Sequence, residues 1–195
     1  MVKTEILIDP NDPSKIYAHV ILTQFGDTLK NDMVAAINDV LLKHQDVQGF
    51  IFDVRGNPGG SLKQVYESVD ALVDYSGPFV SIRDNDGIHA YGTGEGDEVL
   101  LPQPGDVTNG LPIAVFIDGN SASAAEIFSG ALQIFDRSIT IGKGTWRKGS
   151  VQGIFTLVDG STMRLNQAEY LIGSPTKWVA VQCVGVSPDI LRRDL

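Results

Sequence analysis

Three times along this chain a short apolar run ends in a polar or glycine-rich turn and then gives way to apolar residues at helical spacing. Residues 15–25, with Ile16, Tyr17, Val20, Ile21 and Leu22, precede residues 28–44, where Leu29, Met33, Ile37, Val40 and Leu41 share a stripe. Residues 49–54 precede residues 61–74, where Leu62, Val65, Tyr66, Val69, Leu72 and Val73 repeat. Residues 113–117 precede residues 122–135, where Ala124, Ile127, Phe128, Ala131, Leu132 and Phe135 repeat. A period of two belongs to a strand and one near 3.6 to a helix, so each pair reads as strand, turn, helix. Short apolar strands linked by helices are the signature of a parallel sheet. The expected fold class is therefore α/β, built of layered βα units. In such sheets, sites gather beyond the carboxyl ends of the strands.

The other segments decorate that core. Residues 139–141 read as a further buried strand. Residues 79–82 and 88–91 flank Asp84-Asn85-Asp86-Gly87, and residues 151–157 and 162–165 flank Val158-Asp159-Gly160-Ser161. Both are hairpin signals. Residues 92–110 are polar and rich in Gly, Pro and Asp, and read as a loop insertion, a rim or a lid. Residues 1–14 read as a turn-rich lead-in, leaving 15–195 as a single core.

The 195 residues suffice for one substantial core, and the net charge of −9 argues against nucleic-acid or anionic-membrane partners. No apolar run reaches the roughly 18 residues of a membrane helix. Residues 1–5 lack a signal-peptide apolar core. A single cysteine, Cys183, excludes an internal disulfide and reads as a small buried hydrophobe in a valine-rich run.

The chemistry concentrates in Asp118-Gly119-Asn120-Ser121-Ala122-Ser123-Ala124-Ala125-Glu126-Ile127. It carries a hydroxyl to a helix N-terminus, where free N–H groups favour negative charge. Ser123 and Glu126 also fit a capping box, which needs no catalysis. A serine nucleophile needs a base. The three histidines, His19, His44 and His89, all lie outside glycine-rich contexts. The alternative base is a neutral lysine, which burial favours. Lys148 sits among glycines beside Trp146 and Val151. In an extended segment Gln152 projects to the same face and could orient its amine. Ala124 N–H and the Asn57-Pro58-Gly59-Gly60 loop, through Gly59 or Gly60, are natural oxyanion donors. Asp53 and Arg55 read as fixing that loop by an ion pair or backbone bonds. Residues 144–150 fail as a phosphate loop because the lysine precedes the second glycine.

Residues 51–60, 120–127 and 145–152, closed by Gly185-Val186-Ser187-Pro188-Asp189-Ile190, resemble the signature blocks of the carboxyl-terminal processing, or tail-specific, serine proteases. The resemblance runs from about residue 16 to residue 190, in family order. It implies Ser123 as nucleophile, Lys148 (25 positions downstream) as base, Gln152 as its partner, and Glu126 and Thr145 as supporting residues. It also implies a Clp peptidase/crotonase-like core, no metal or cofactor, and a peptide or unfolded-protein substrate cut near an apolar C-terminus. An extracytoplasmic location follows if a signal precedes Met1, and a homo-oligomer is compatible. The chain departs from the family pattern in having Arg147 where glycine is usual, Ala125 for serine, Ile134 after Gln133, and no PDZ domain. Arg147 could depress the pKa of Lys148 or crowd it. A non-catalytic binding module on the same fold and a crotonase-like acyl-CoA enzyme are the alternatives.

Overall fold

The alternation of periods demands parallel strands with helical crossovers. The computed structural model, which describes residues 2–91, 100 and 102–192, contains them. β1 (Val2–Asp9) and β2 (Asp12–Leu22) form an antiparallel hairpin. α1 (Leu29–Lys43), β3 (Val47–Asp53) and α2 (Leu62–Asp70) follow, then the hairpin β4 (Val80–Arg83) and β5 (Ile88–Ala90). β6 (Ile113–Ile117), α3 (Ala124–Ile134) and β7 (Ser138–Gly142) make the third βα unit and its return. β8 (Ser150–Thr156), β9 (Thr162–Ser174), β10 (Lys177–Ala180) and β11 (Ile190–Leu191) complete the chain.

These strands make two sheets. The first has six strands in the order β1-β2-β3-β6-β7-β11, parallel from β2 onward. The second has five strands, all antiparallel, in the order β10-β9-β4-β5 with β8 added on β9. Ala18, Val20 and Leu22 of β2, Phe50 and Phe52 of β3, and Ile113, Val115 and Ile117 of β6 are buried. They meet Leu29, Met33 and Ile37 of α1, Val65 and Val69 of α2, and most of α3 in one core. Phe128 of α3 packs between Phe25 and Phe52, with both ring centroids at 5.7 Å. α3 is buried nearly all round because its residues are small. At Gly130 an added Cβ would come within 2.5 Å of Ile172 Cδ1, so a larger residue there would have to push the end of that β9 side chain aside.

Most expected elements match to within a few residues, but two readings need correction. Residues 1–14 are not merely a lead-in. Residues 2–9 form the edge strand β1, with the Pro10–Asn11 turn leading into β2. Lys3, Thr4 and Glu5 face solvent, as edge strands favour; only Val2 and Ile6 touch the core, while Leu7 and Ile8 are exposed, so the strand lacks the apolar–polar alternation of a half-buried one. Cys183 is exposed rather than buried. The valine-rich run breaks into a turn there, with Cys183 at φ 64° and its N–H donating to Arg147 O at 3.1 Å. Of the loop insertion at 92–110, residues 92–99 and 101 lie outside the described residues. Residues 102–110 hold neither strand nor helix and fasten to the end of α2 through Gln103 N–H to Asp70 Oδ1 (2.9 Å) and Val107 N–H to Ala71 O (3.0 Å).

Because Phe128 joins α3 to the strand layer through two ring contacts, Phe128→Ala is expected to cost about 3–5 kcal/mol. Urea denaturation followed by circular dichroism measures it.

Candidate active site

β3 and β6 are parallel neighbours, so the loops leaving their carboxyl ends meet. The contact is fixed by polar side chains. Asn57, fully buried, donates from Nδ2 to Leu22 O (2.7 Å) and accepts Gly59 N–H on Oδ1 (2.8 Å). Its carbonyl accepts Ala122 N–H at 2.9 Å. Asp118 accepts Gly56 N–H from the other loop, and Asn120 and Ser121 N–H from its own, each at 3.0 Å. Burial works to raise the Asp118 carboxyl, but these bonds outweigh it and hold it below the usual carboxylate value.

The two serines of the turn part company. Ser121 is fully buried, and its hydroxyl donates to Val54 O (2.8 Å) and accepts Asp118 N–H (3.0 Å). Ser123 is partly exposed at the N-cap of α3, with φ 57° and ψ −116°, and forms a capping box with Glu126. An L-residue held in such a region stores on the order of 1–3 kcal/mol, and the surroundings must over-determine it. A strained strand-to-helix turn of this kind projects a hydroxyl from the sheet end.

Backbone donors surround it. Ala124 N–H, first in the helix, has no acceptor among the described residues. Gly59 N–H is taken by Asn57. The bridge between Phe25 and Gly60 uses Phe25 N–H to Gly59 O (2.9 Å) and Ser61 N–H to Phe25 O (2.7 Å), leaving Gly60 N–H without a partner among the described residues. Neither glycine is replaceable by size. A Cβ on Gly59 would lie 2.7 Å from Ser123 Cβ, and one on Gly60 2.2 Å from Phe25 O.

Lys148 reaches the same turn through Glu126. This carboxylate has no exposure and accepts four bonds: Ser123 N–H (2.8 Å), Lys148 N–H (2.8 Å), Arg147 N–H (2.7 Å) and Thr145 Oγ1–H (2.5 Å). The Thr145 hydroxyl in turn accepts Val186 N–H at 2.8 Å. Trp146 N–H adds a bond to Ser121 O at 3.0 Å. Arg147 sits at φ 74°, a backbone that glycine adopts without strain. Gln152 lies apart from this knot. β8 begins only at Ser150, beyond Lys148, and Gln152 Nε2 donates to Asn166 Oδ1 at 3.0 Å. Sequence reading gave Asp118 no role. Its signal was a short acid placed ahead of a turn, where Asx side chains bind backbone N–H groups.

Asp53 and Arg55 brace the glycine loop from below. Arg55 donates from Nε (2.9 Å) and its backbone N–H (3.0 Å) to Asp53 Oδ1, and from its terminal nitrogen to Oδ2 (2.5 Å), while His19 lies 3.1 Å from Oδ2. Burial pushes the Asp53 carboxyl up, and the Arg55 bonds and charge with His19 bring it below its ordinary value.

A layered βα core with an appended hairpin sheet is the Clp-protease-like α/β fold, shared at the level of fold with tricorn protease (TM-score 0.57, 19% identity, 91% of this chain and 15% of that one). The chain belongs to peptidase family S41, whose model matches residues 17–192. It is 38% identical over 173 residues to a carboxy-terminal-processing protease of Bartonella bacilliformis, covering 87% of this chain and 37% of the relative. It is 33% identical over 177 residues to the chloroplastic carboxyl-terminal-processing peptidase 3 of Arabidopsis thaliana, covering 88% and 31%. The solved photosystem II D1 C-terminal processing protease superposes with a TM-score of 0.79 at 26% identity, over 98% of this chain and 48% of that one. The chain thus spans about a third of the length of these curated relatives. No described helix is long and apolar enough to cross a membrane.

Two outcomes follow from this geometry. Asp53 and Asp118 are both depressed on folding. The stability they confer is therefore full above the unfolded value of about 3.9 and is lost as pH falls through their folded values. Asp53→Asn is expected to flatten that acid loss, as seen in denaturant midpoints measured from pH 6 down to pH 2. Arg147→Gly removes left-handed strain and is expected to gain about 0.5–1 kcal/mol net of the glycine's added chain entropy, whereas Arg147→Ala gains nothing.

Proposed function

We propose that this chain is the catalytic core of a serine endopeptidase that cleaves peptide or unfolded-protein substrates through a Ser/Lys mechanism, near an apolar C-terminus. The observation that carries the reading is the buried Glu126 carboxylate. It ties the strained Ser123 turn and the Lys148 loop to one point. Ser123 Oγ attacks the scissile carbonyl. Lys148, as the neutral amine, takes the hydroxyl proton and later returns one to the leaving amine. Ala124 N–H and Gly60 N–H receive the oxyanion, since Gly59 N–H is already engaged by Asn57. Gln152 orients Lys148 once substrate is bound, after exchanging its bond to Asn166. Glu126 and Thr145 act as positioning residues behind the nucleophile and the base. Substrate enters as an extended chain; no step calls for a cofactor. An extracytoplasmic location remains part of the proposal.

The test uses unstructured peptides with apolar C-termini. Wild type is expected to cleave them. Ser123→Ala and Lys148→Ala are each expected to lose at least 10³-fold in kcat while retaining the fold. Cleavage by Ser123→Ala at the wild-type rate would overturn the assignment.

A further inference from the structure

Two residues beyond Lys148 the chain enters β8, and the outer part of the β8–β9 ribbon stands clear of the rest of the sheet. β4 joins β9 only between Glu169 and Ile172, so residues 162–168 pair with β8 alone, and β8 pairs with no strand but β9 among the described residues. Cross-strand partners point to the same side of a ribbon. The registers Gly153 with Leu165 and Phe155 with Met163 therefore put Phe155, Met163 and Leu165 on one face, and Leu157 continues it. The opposite face carries Gln152 with Asn166 and Ile154 with Arg164. On the apolar face, Phe155 is 39% exposed, Met163 38%, Leu165 45% and Leu157 42%. At the tip, Val158 is wholly exposed.

A two-stranded ribbon is marginal in water by itself, and one with an uncovered apolar face invites a partner. Two strands about 4.8 Å apart and five or six residues long offer roughly 200 Å² of face. That is far below the roughly 800 Å² per partner of a stable protein interface. It suits a single extended segment of polypeptide. Such a segment could pair with the open edge of β8 and set alternate apolar side chains on the face beside it. We infer that the β8–β9 ribbon is an exosite for apolar segments of unfolded polypeptide, held on the strand that follows the lysine loop. This rests on the proteolytic reading for its purpose and on the ribbon's own geometry for its binding.

The experiment separates the two. Fluorescence anisotropy is measured on Ser123→Ala protein with a labelled unstructured peptide of alternating Val or Leu and Ser. Binding is expected to weaken at least tenfold in Ser123→Ala carrying Phe155→Ser and Leu165→Ser. Leu157→Ser, near the tip and remote from the core, serves as a milder second variant expected to weaken it severalfold. Circular dichroism establishes that each is folded. In the catalytically intact background, the same ribbon substitutions are expected to slow cleavage of a long unfolded protein while sparing a tetrapeptide. Unchanged peptide affinity in both folded variants overturns the exosite. So does a wild-type dimer, seen by sedimentation, that the variants dissolve without altering peptide affinity. If wild type cleaves nothing yet the affinities shift as expected, the proteolytic reading fails and the binding site stands.

Discussion

The site depends on one buried negative charge. Glu126 is sealed from solvent, and an unpaired carboxylate there would cost several kcal/mol. It is instead surrounded by donors from three places: the Ser123 turn, the Thr145 hydroxyl, and the backbone at Arg147 and Lys148. Its position in the first turn of α3 adds the favourable end of the helix dipole. The fit is close enough to dictate a neighbour. At Gly185 a Cβ would fall 2.7 Å from Thr145 Oγ1 and 3.2 Å from Glu126 Oε1, so the chain passes there as glycine. The unfavourable φ of Ser123 and of Arg147 is tolerated because their N–H groups both end on this carboxylate.

A second layer joins the glycine loop to the same turn. Asn57 and Asp118 each bind backbone on both sides of the gap between β3 and β6. Their effect is to sort the available N–H groups. Asn57 occupies Gly59 and Asp118 occupies Gly56, so Gly60 and Ala124 are the donors left over beside Ser123. In this way an ordinary requirement, that buried backbone groups find partners, also decides which donors face outward.

Much of this was legible because it is local. The βα alternation declared the parallel core, and the Gly-Gly pair and the small-residue helix marked close approaches that larger side chains would block. What was not legible depends on partners far along the chain. Ser121 and Ser123 are nearly equivalent in sequence, and they separate because Val54 O and Asp118 engage the Ser121 hydroxyl while Glu126 holds the Ser123 backbone in its strained turn. The edge strand β1 escaped notice because its apolar residues do not alternate: Ile6, Leu7 and Ile8 run together, and Leu7 and Ile8 are exposed. Cys183 read as core, but a turn held by Arg147 O exposes it. The extended segment expected from Lys148 to Gln152 begins only at Ser150, because Arg147 at φ 74° and the N–H groups of Arg147 and Lys148 are held in a loop by the distant Glu126 carboxylate.

By itself, then, the sequence determined the fold class, since hydrophobic period and residue size act over a few positions, and it supplied the side chains of the proposed site. Tertiary structure decided their roles. It engaged the Ser121 hydroxyl and strained Ser123, gave the Gly59 N–H to Asn57, and turned Glu126 from a helix cap into the anchor of the lysine loop. The engagement of the Ser121 hydroxyl by Val54 O and of Glu126 by the lysine loop rests on hydrogen bonds between residues 19 to 67 positions apart, for which no local pattern stands in.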